Sequence, residues 1–188
     1  MRIVAATQSA SKREEFVKLL EEVEVEVIPA DSIPDVEESA TTFLGNAALK
    51  ANAAAKALGQ LCLADDTGLV IADLPGGGPG IRARKVAEKY GGWHEAMKAI
   101  VTDAGLLEGE RTLVKAHFVC AMAISAPDGS TWSRQATVDG RLRWPPIGDG
   151  PGFVPIFSPY DPLRVRGVLN HRRLAFEKLW PVVKSAQG

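Results

Sequence analysis

The sequence predicts an α/β fold, a mixed central sheet with helices on both faces. Two observations carry this expectation. In the first half, short apolar runs alternate with helix-periodic segments, the pattern of strands followed by packed helices. In the second half, two longer apolar stretches flank Pro127-Asp128-Gly129, an Asp-Gly signal for an antiparallel hairpin.

Taken in order, Arg2–Ala6 is a short apolar run of the kind buried in a sheet, and Thr7-Gln8-Ser9-Ala10-Ser11 offers caps for a helix whose apolar face is Phe16, Val17, Leu19 and Leu20. Residues 23–28, Val-Glu-Val-Glu-Val-Ile, alternate as a half-exposed strand does. The polar stretch 31–41, with Pro34, is a loop. Residues 43–58 have high helix propensity and very small side chains, so that helix can lie close against a sheet. Residues 61–64 and 69–72 read as strands flanking an acidic turn, and 83–105 as one or two helices interrupted at Gly91-Gly92. Leu113–Ser125 and Thr131–Val138 form the hairpin, and 140–162, rich in Pro and Gly, is mostly irregular. Asn170 can cap a last helix through Leu179, which Pro181 ends or kinks.

Composition bounds the function. With 188 residues, 46% hydrophobic and 24% charged, the chain fits one globular domain of one or two lobes, 1–188, with a substantial core. A formal net charge of −1 argues against a general nucleic-acid surface, which needs a basic excess. A single nucleotide needs only a few local cations. Cys62 and Cys120 lie in apolar runs, as buried reduced thiols of a cytoplasmic protein do. The apolar run at Met1–Ala6 is too short for a signal peptide, and no later run approaches a membrane span. His94, His117 and His171 show no close spacing with one another or with either Cys, which argues against zinc.

Four groups could carry chemistry. Asp65-Asp66, in Ala64-Asp65-Asp66-Thr67-Gly68-Leu69, reads either as an acidic turn or as a pair that binds a divalent cation and activates water. Thr7, Ser9 and Lys12 at the first helix start read either as a cap with a solvated lysine or as a phosphate cradle of free N–H groups, hydroxyls and an ammonium. Glu37 and Glu38 precede the alanine-rich helix, whose dipole already favours an acid there. Lys50 lies four residues after Asn46, on the same helix face. Arg164, Arg166, His171, Arg172 and Arg173 form a basic cluster suited to a phosphate or a purine carbonyl, or simply a solvated surface. There is no Walker loop, no serine nucleophile elbow and no dinucleotide fingerprint.

Together these elements resemble the inosine triphosphate pyrophosphatase family, which hydrolyses non-standard purine nucleoside triphosphates such as ITP, dITP and XTP. Its opening Thr-x-Asn-x-x-Lys is matched by Thr7 and Lys12, with Ser9 for Asn. Its Glu and Thr-Phe-x-x-Asn-Ala-x-x-Lys-Ala are matched by Glu38 and by Thr42 through Ala51. Its Ala-Asp-Asp-Ser-Gly-Leu appears as Ala64 to Leu69 with Thr67 for Ser, and its Gly-Gly-x-Pro-Gly-Ile ends at Ile81. The second half departs. Where the family has Gly-Phe-Gly-Tyr-Asp-Pro-Ile-Phe, this chain has Gly150-Pro151-Gly152-Phe153-Val154-Pro155-Ile156-Phe157, losing an acid that could read a purine edge. Arg166 and Asn170-His171-Arg172 stand where the family has Lys and Ser-His-Arg.

The resemblance implies a two-lobed architecture with a cleft, a homodimer, and Mg2+-dependent (or Mn2+-dependent) hydrolysis of a nucleoside triphosphate to monophosphate and pyrophosphate. It implies Glu38, Asp65 and Asp66 as metal ligands, and Asp66, Asp65 and Lys50 as the catalytic groups. Thr7, Ser9, Lys12, Asn46, Thr67, Gly68, Phe153, Arg166, His171 and Arg172 would bind substrate, with Phe153 stacking on the base. The alternatives are a nucleotide-binding protein with little turnover, or the same hydrolysis on a different base. A pyrimidine-directed Maf-type enzyme carries a basic signature after its first strand, unlike Ser9-Ala10-Ser11.

Overall fold

A computed structural model of the chain describes residues 2–20, 24–27, 32–161 and 171–187. Among the described residues, six strands form one sheet: β1 (Arg2–Ala5), β2 (Glu24–Val27), β3 (Cys62–Val70), β4 (Lys115–Ser125), β5 (Thr131–Leu142) and β6 (Phe157–Pro159), in the order β2-β1-β3-β4-β5-β6. β1 is parallel to β2 and β3, and β5 is antiparallel to β6, so the sheet is mixed. The helices are α1 (Ala10–Leu19), α2 (Phe43–Leu58), α3 (Ala83–Lys89), α4 (Trp93–Asp103) and α5 (His171–Gln187).

The chain divides into two compact units. The first comprises residues 1–66, 120–136 and 172–188. In it, strand alternation sorts the core onto two faces. Ile3 and Ala5 of β1 and Leu63 of β3 pack with Phe16 and Leu20 beside α1 and with Ala175, Leu179 and Val183 of α5. Val4 and Ala6 point the other way, to Ala54 and Ala55 of α2, and Ala64 meets Ala47 and Ala51 of the same helix. Alanine on both sides lets α2 lie close to the sheet. Thr42 caps α2 by accepting from the Gly45 N–H at 3.0 Å, and Gly59, at φ 66°, closes it. The second unit comprises residues 67–119 and 137–171. It holds α3 and α4, separated at Gly91-Gly92 as expected, and an aromatic group in which Phe118 meets Phe157 edge-on, with ring centroids 5.0 Å apart.

Several local expectations are corrected. β3 runs unbroken through Asp65 and Asp66, so the acids lie within a strand and not in a turn. β5 continues to Leu142. Val17 is exposed, leaving Phe16 and Leu20 as the fully buried anchors beside α1. α5 continues through Pro181 to Gln187. Proline removes one backbone donor there, but Leu179 and Val183, both buried, hold the helix to the sheet on either side of it. Neither cysteine is in a disulfide and both are buried, and burial pushes the Cys62 thiol up to about 11.

Candidate active site

The strand geometry of β3 decides what the two acids can do. Successive side chains of a strand point to opposite faces. Leu63 faces α1 and α5, Ala64 faces α2, and the alternation continues into the acids. Asp65 meets α1 and α5, and Asp66 meets α2.

On the first face, Asp65 Oδ1 accepts from Lys12 Nζ at 3.0 Å and Asp65 Oδ2 accepts from Arg172 Nε at 3.1 Å. Arg172 Nη1 also donates to Glu15. Asp65 is 3% exposed and Arg172 6%. Burial alone would raise the Asp65 pKa, but Lys12, Arg172 and Lys50 outweigh it and hold the carboxyl well below the usual range. Burial likewise disfavours the Arg172 cation, and Asp65, Cys120 and Glu15 more than offset that, so its pKa is raised. Both groups are therefore charged, and each has the other as a partner. At the start of α1, the Lys12 N–H donates to Ser9 Oγ at 3.4 Å and the Ser9 N–H to Thr7 Oγ1 at 3.2 Å. A lysine and two hydroxyls are thus gathered at a helix N-terminus, where the backbone favours an anion.

On the second face, Lys50 Nζ lies between two carboxylates, 2.9 Å from Glu38 Oε1 and 3.2 Å from Asp66 Oδ1. Asn46 Nδ2 donates to Asp66 Oδ2 at 3.3 Å, while Asn46 Oδ1 accepts from the Ala40 N–H at 3.1 Å. Asn46 and Lys50 are one helical turn apart, so α2 presents both to Asp66. Asn46 also pins the segment that carries Glu38. Gly45 is needed for that packing, because a Cβ there would come within 2.7 Å of Ala40 Cβ. Burial raises the Asp66 pKa, Lys50 opposes it, and Glu38 pushes it further up. Burial lowers the Lys50 pKa, but Asp66, Asp65 and Glu38 raise it on balance.

Of the expected site residues, the first unit brings together Thr7, Ser9, Lys12, Glu38, Asn46, Lys50, Asp65, Asp66 and Arg172. Asp65 stands on the other face from Glu38 and Asp66, and among the described residues no three His, Cys, Asp or Glu side chains gather into a metal-binding group. Thr67 and Gly68 continue β3 into the second unit. There Phe153 is 2% exposed and packs edge-on against Trp93, centroids 5.2 Å apart, so its ring is a core contact and not an open face. His171 is buried and stacks on Phe118 at 5.7 Å. Arg164, Arg166 and Asn170 lie outside the described residues. One participant was missed in the sequence. Glu15 follows Lys12 by three positions on α1, a spacing that puts both on one helix face.

A mixed α/β sheet with buried carboxylates set against Lys12 at the start of α1 and Lys50 in the middle of α2 defines the class to which the chain belongs, and comparison with known proteins gives its family. The Ham1 family model matches residues 3–182, and the chain belongs to the Ham1 family. A curated relative from Streptomyces avermitilis, named dITP/XTP pyrophosphatase, is 33% identical and covers 100% of this chain and 99% of its own length. Another with that name, from Gluconobacter oxydans, is 38% identical over 84% of this chain and 75% of its own. Among solved structures, a HAM1 protein from Coxiella burnetii superposes with a TM-score of 0.78 at 32% identity, covering 98% of this chain and 99% of that one. The chain is a hydrolase of the pyrophosphatase class. No helix among the described residues is long and apolar enough to cross a membrane.

Proposed function

We propose that the chain hydrolyses a nucleoside triphosphate to the monophosphate and pyrophosphate, with a purine carrying a 6-oxo group (ITP, dITP or XTP) as the first expected substrate. The supporting relatives are named for dITP and XTP. The observation that carries the reading is the convergence of Glu38 and Asp66 on one ammonium, Lys50. Two carboxylates that share one positive point make a place for a hard divalent cation, which takes oxygen ligands and needs only one or two carboxylates beside water and phosphate. Glu38 and Asp66 fit Mg2+ or Mn2+; Asp65, engaged by Lys12 and Arg172 on the other face, does not join them. When bound, such an ion neutralises phosphate charge and favours attack at phosphorus.

The chain's own residues do the rest. Asp66 accepts a proton from water; in the metal-free chain, burial and Glu38 raise its pKa. The water oxygen bonds to the α-phosphorus while the bond from that phosphorus to the bridging oxygen breaks, and pyrophosphate leaves with the electron pair. Asn46 fixes the Asp66 carboxylate, and Lys50 balances its charge until substrate and ion arrive. Thr7, Ser9 and Lys12 offer donors to the phosphate chain. Positioning and charge neutralisation of this kind supply most of the catalysis in phosphoryl chemistry.

The test is a panel of common and deaminated nucleoside triphosphates with Mg2+, resolving pyrophosphate from orthophosphate. Release of orthophosphate alone would exclude the proposed bond cleavage, and binding without turnover would favour a nucleotide-binding role. The family resemblance also supports a homodimer, which sedimentation of the purified chain checks, and a cytoplasmic location.

A further inference from the structure

We propose that Glu15 is a positioning residue for phosphate binding, acting through Arg172 and Asp65 on Lys12. The four side chains form a chain of alternating charge. Lys12 Nζ is 3.0 Å from Asp65 Oδ1, Asp65 Oδ2 is 3.1 Å from Arg172 Nε, and Arg172 Nη1 is paired with Glu15. Two cations face two anions. Arg172 is 6% exposed and Asp65 3%, so a change at one end has little solvent to absorb it. The guanidinium has donors on two edges in a fixed plane. Glu15 holds Nη1 and so fixes how the guanidinium lies, with Nε on Asp65 Oδ2. That arrangement leaves the other Asp65 oxygen to Lys12.

Without the Glu15 carboxylate, the guanidinium can turn to meet Asp65 with two donors, the stronger geometry for such a pair. Lys12 then loses its anchor. Its ammonium is then no longer held at Asp65 over the first turn of α1, whose start Ser9 and Thr7 cap. Glu15 itself touches no phosphate. The inference rests on the reading that the start of α1 binds a phosphate chain, and it separates from simple electrostatics by its sign. Removing a carboxylate makes the region more positive and by charge alone would tighten anion binding, whereas loss of a positioned lysine weakens it.

The experiment measures binding of inorganic tripolyphosphate by calorimetry, without turnover, alongside KM and kcat for a nucleoside triphosphate. Glu15→Gln is expected to weaken tripolyphosphate binding and raise KM by about tenfold, with kcat changed much less. In a Lys12→Met background, the same substitution is expected to add nothing, because its effect passes through Lys12. Glu15→Asp keeps the charge on a shorter stem and is expected to fall between wild type and Glu15→Gln; it serves as the test if Glu15→Gln does not fold. Unchanged or tighter binding in the Glu15 variants, or an equal loss with and without Lys12, overturns the proposal, as does a wild-type chain that binds no tripolyphosphate. If the coupling is present but no nucleotide is hydrolysed, the positioning role stands and the enzymatic reading falls. If nucleotides are hydrolysed and the coupling is absent, the reverse holds.

Discussion

Asp65 and Asp66 are neighbours in one strand, yet they occupy opposite electrostatic situations. On the Asp65 face, two cations from α1 and α5 hold one carboxylate at hydrogen-bond distance. On the Asp66 face, two carboxylates share one lysine from α2. The first carboxyl is driven below the ordinary range and the second above it, although burial pushes both upward. Charge balance and not burial therefore separates them. A saturated carboxylate suits structure and orientation, while an under-neutralised one retains basicity and room for a further cation.

The sharpest way to break this contrast is to neutralise each acid in turn. Asp66→Asn is expected to reduce pyrophosphate release by about 10³-fold, because it removes the proposed proton acceptor. Its resistance to urea should be unchanged or improved, since a crowded buried charge is relieved. Asp65→Asn should do the opposite. It leaves Arg172 without its main buried partner, and the expected loss is about 3–5 kcal/mol of stability, read from the urea midpoint. Turnover per folded molecule should fall less than in Asp66→Asn. Equal effects of the two variants on stability would show that the faces are not electrostatically distinct.

Titration sharpens the same contrast. Asp65 has a folded pKa below its unfolded value of 3.8, so its stabilisation is complete above that value and is lost as the pH falls through the folded pKa. Asp66 has a folded pKa above 3.8. Its contribution is complete below 3.8 and is lost as the pH rises through the raised value. In metal-free buffer, urea midpoints against pH should therefore lose an acid-side slope in Asp65→Asn and a slope of opposite sign, at higher pH, in Asp66→Asn.

Much of the first unit was legible in the chain. The cap at Thr42 and the small-residue run to Leu58 delimited α2, and the resemblance to the family's motifs implied Glu38, Asn46, Lys50 and Asp66 at one site. The continuity of β3 was not legible. Asp, Thr and Gly favour turns by local preference, and the partners that make Asp65 and Asp66 tolerable in a buried strand come from α1, α2 and α5, far away in sequence. The burial of Phe153 was not legible for a similar reason. An aromatic in a Gly-Pro loop looks available, and only the structure shows Trp93 packed on it. Glu15 resembled one more solvated acid until Arg172, 157 positions later, came to meet it.

The smallest expected effect tests the scaffold beneath the Asp66 face. Thr42→Ala removes the cap of α2 and should cost about 1 kcal/mol of stability. It should change KM and kcat little, because Asn46 and Lys50 lie one and two turns deeper in the helix. A large kinetic effect would show that fraying at the helix start carries directly into the site.

The alternation of β3 also limits how such a sequence can change in length. Deleting one residue between Leu63 and Asp65 would rotate Asp65 to the α2 side and Asp66 to the α1 side, exchanging their surroundings in a single genetic event. An insertion of one residue would do the same, whereas a change of two would restore the parity. Length variation in this family should therefore be tolerated in the connections around β3 and purged within it, and any surviving change inside the strand should come in even numbers.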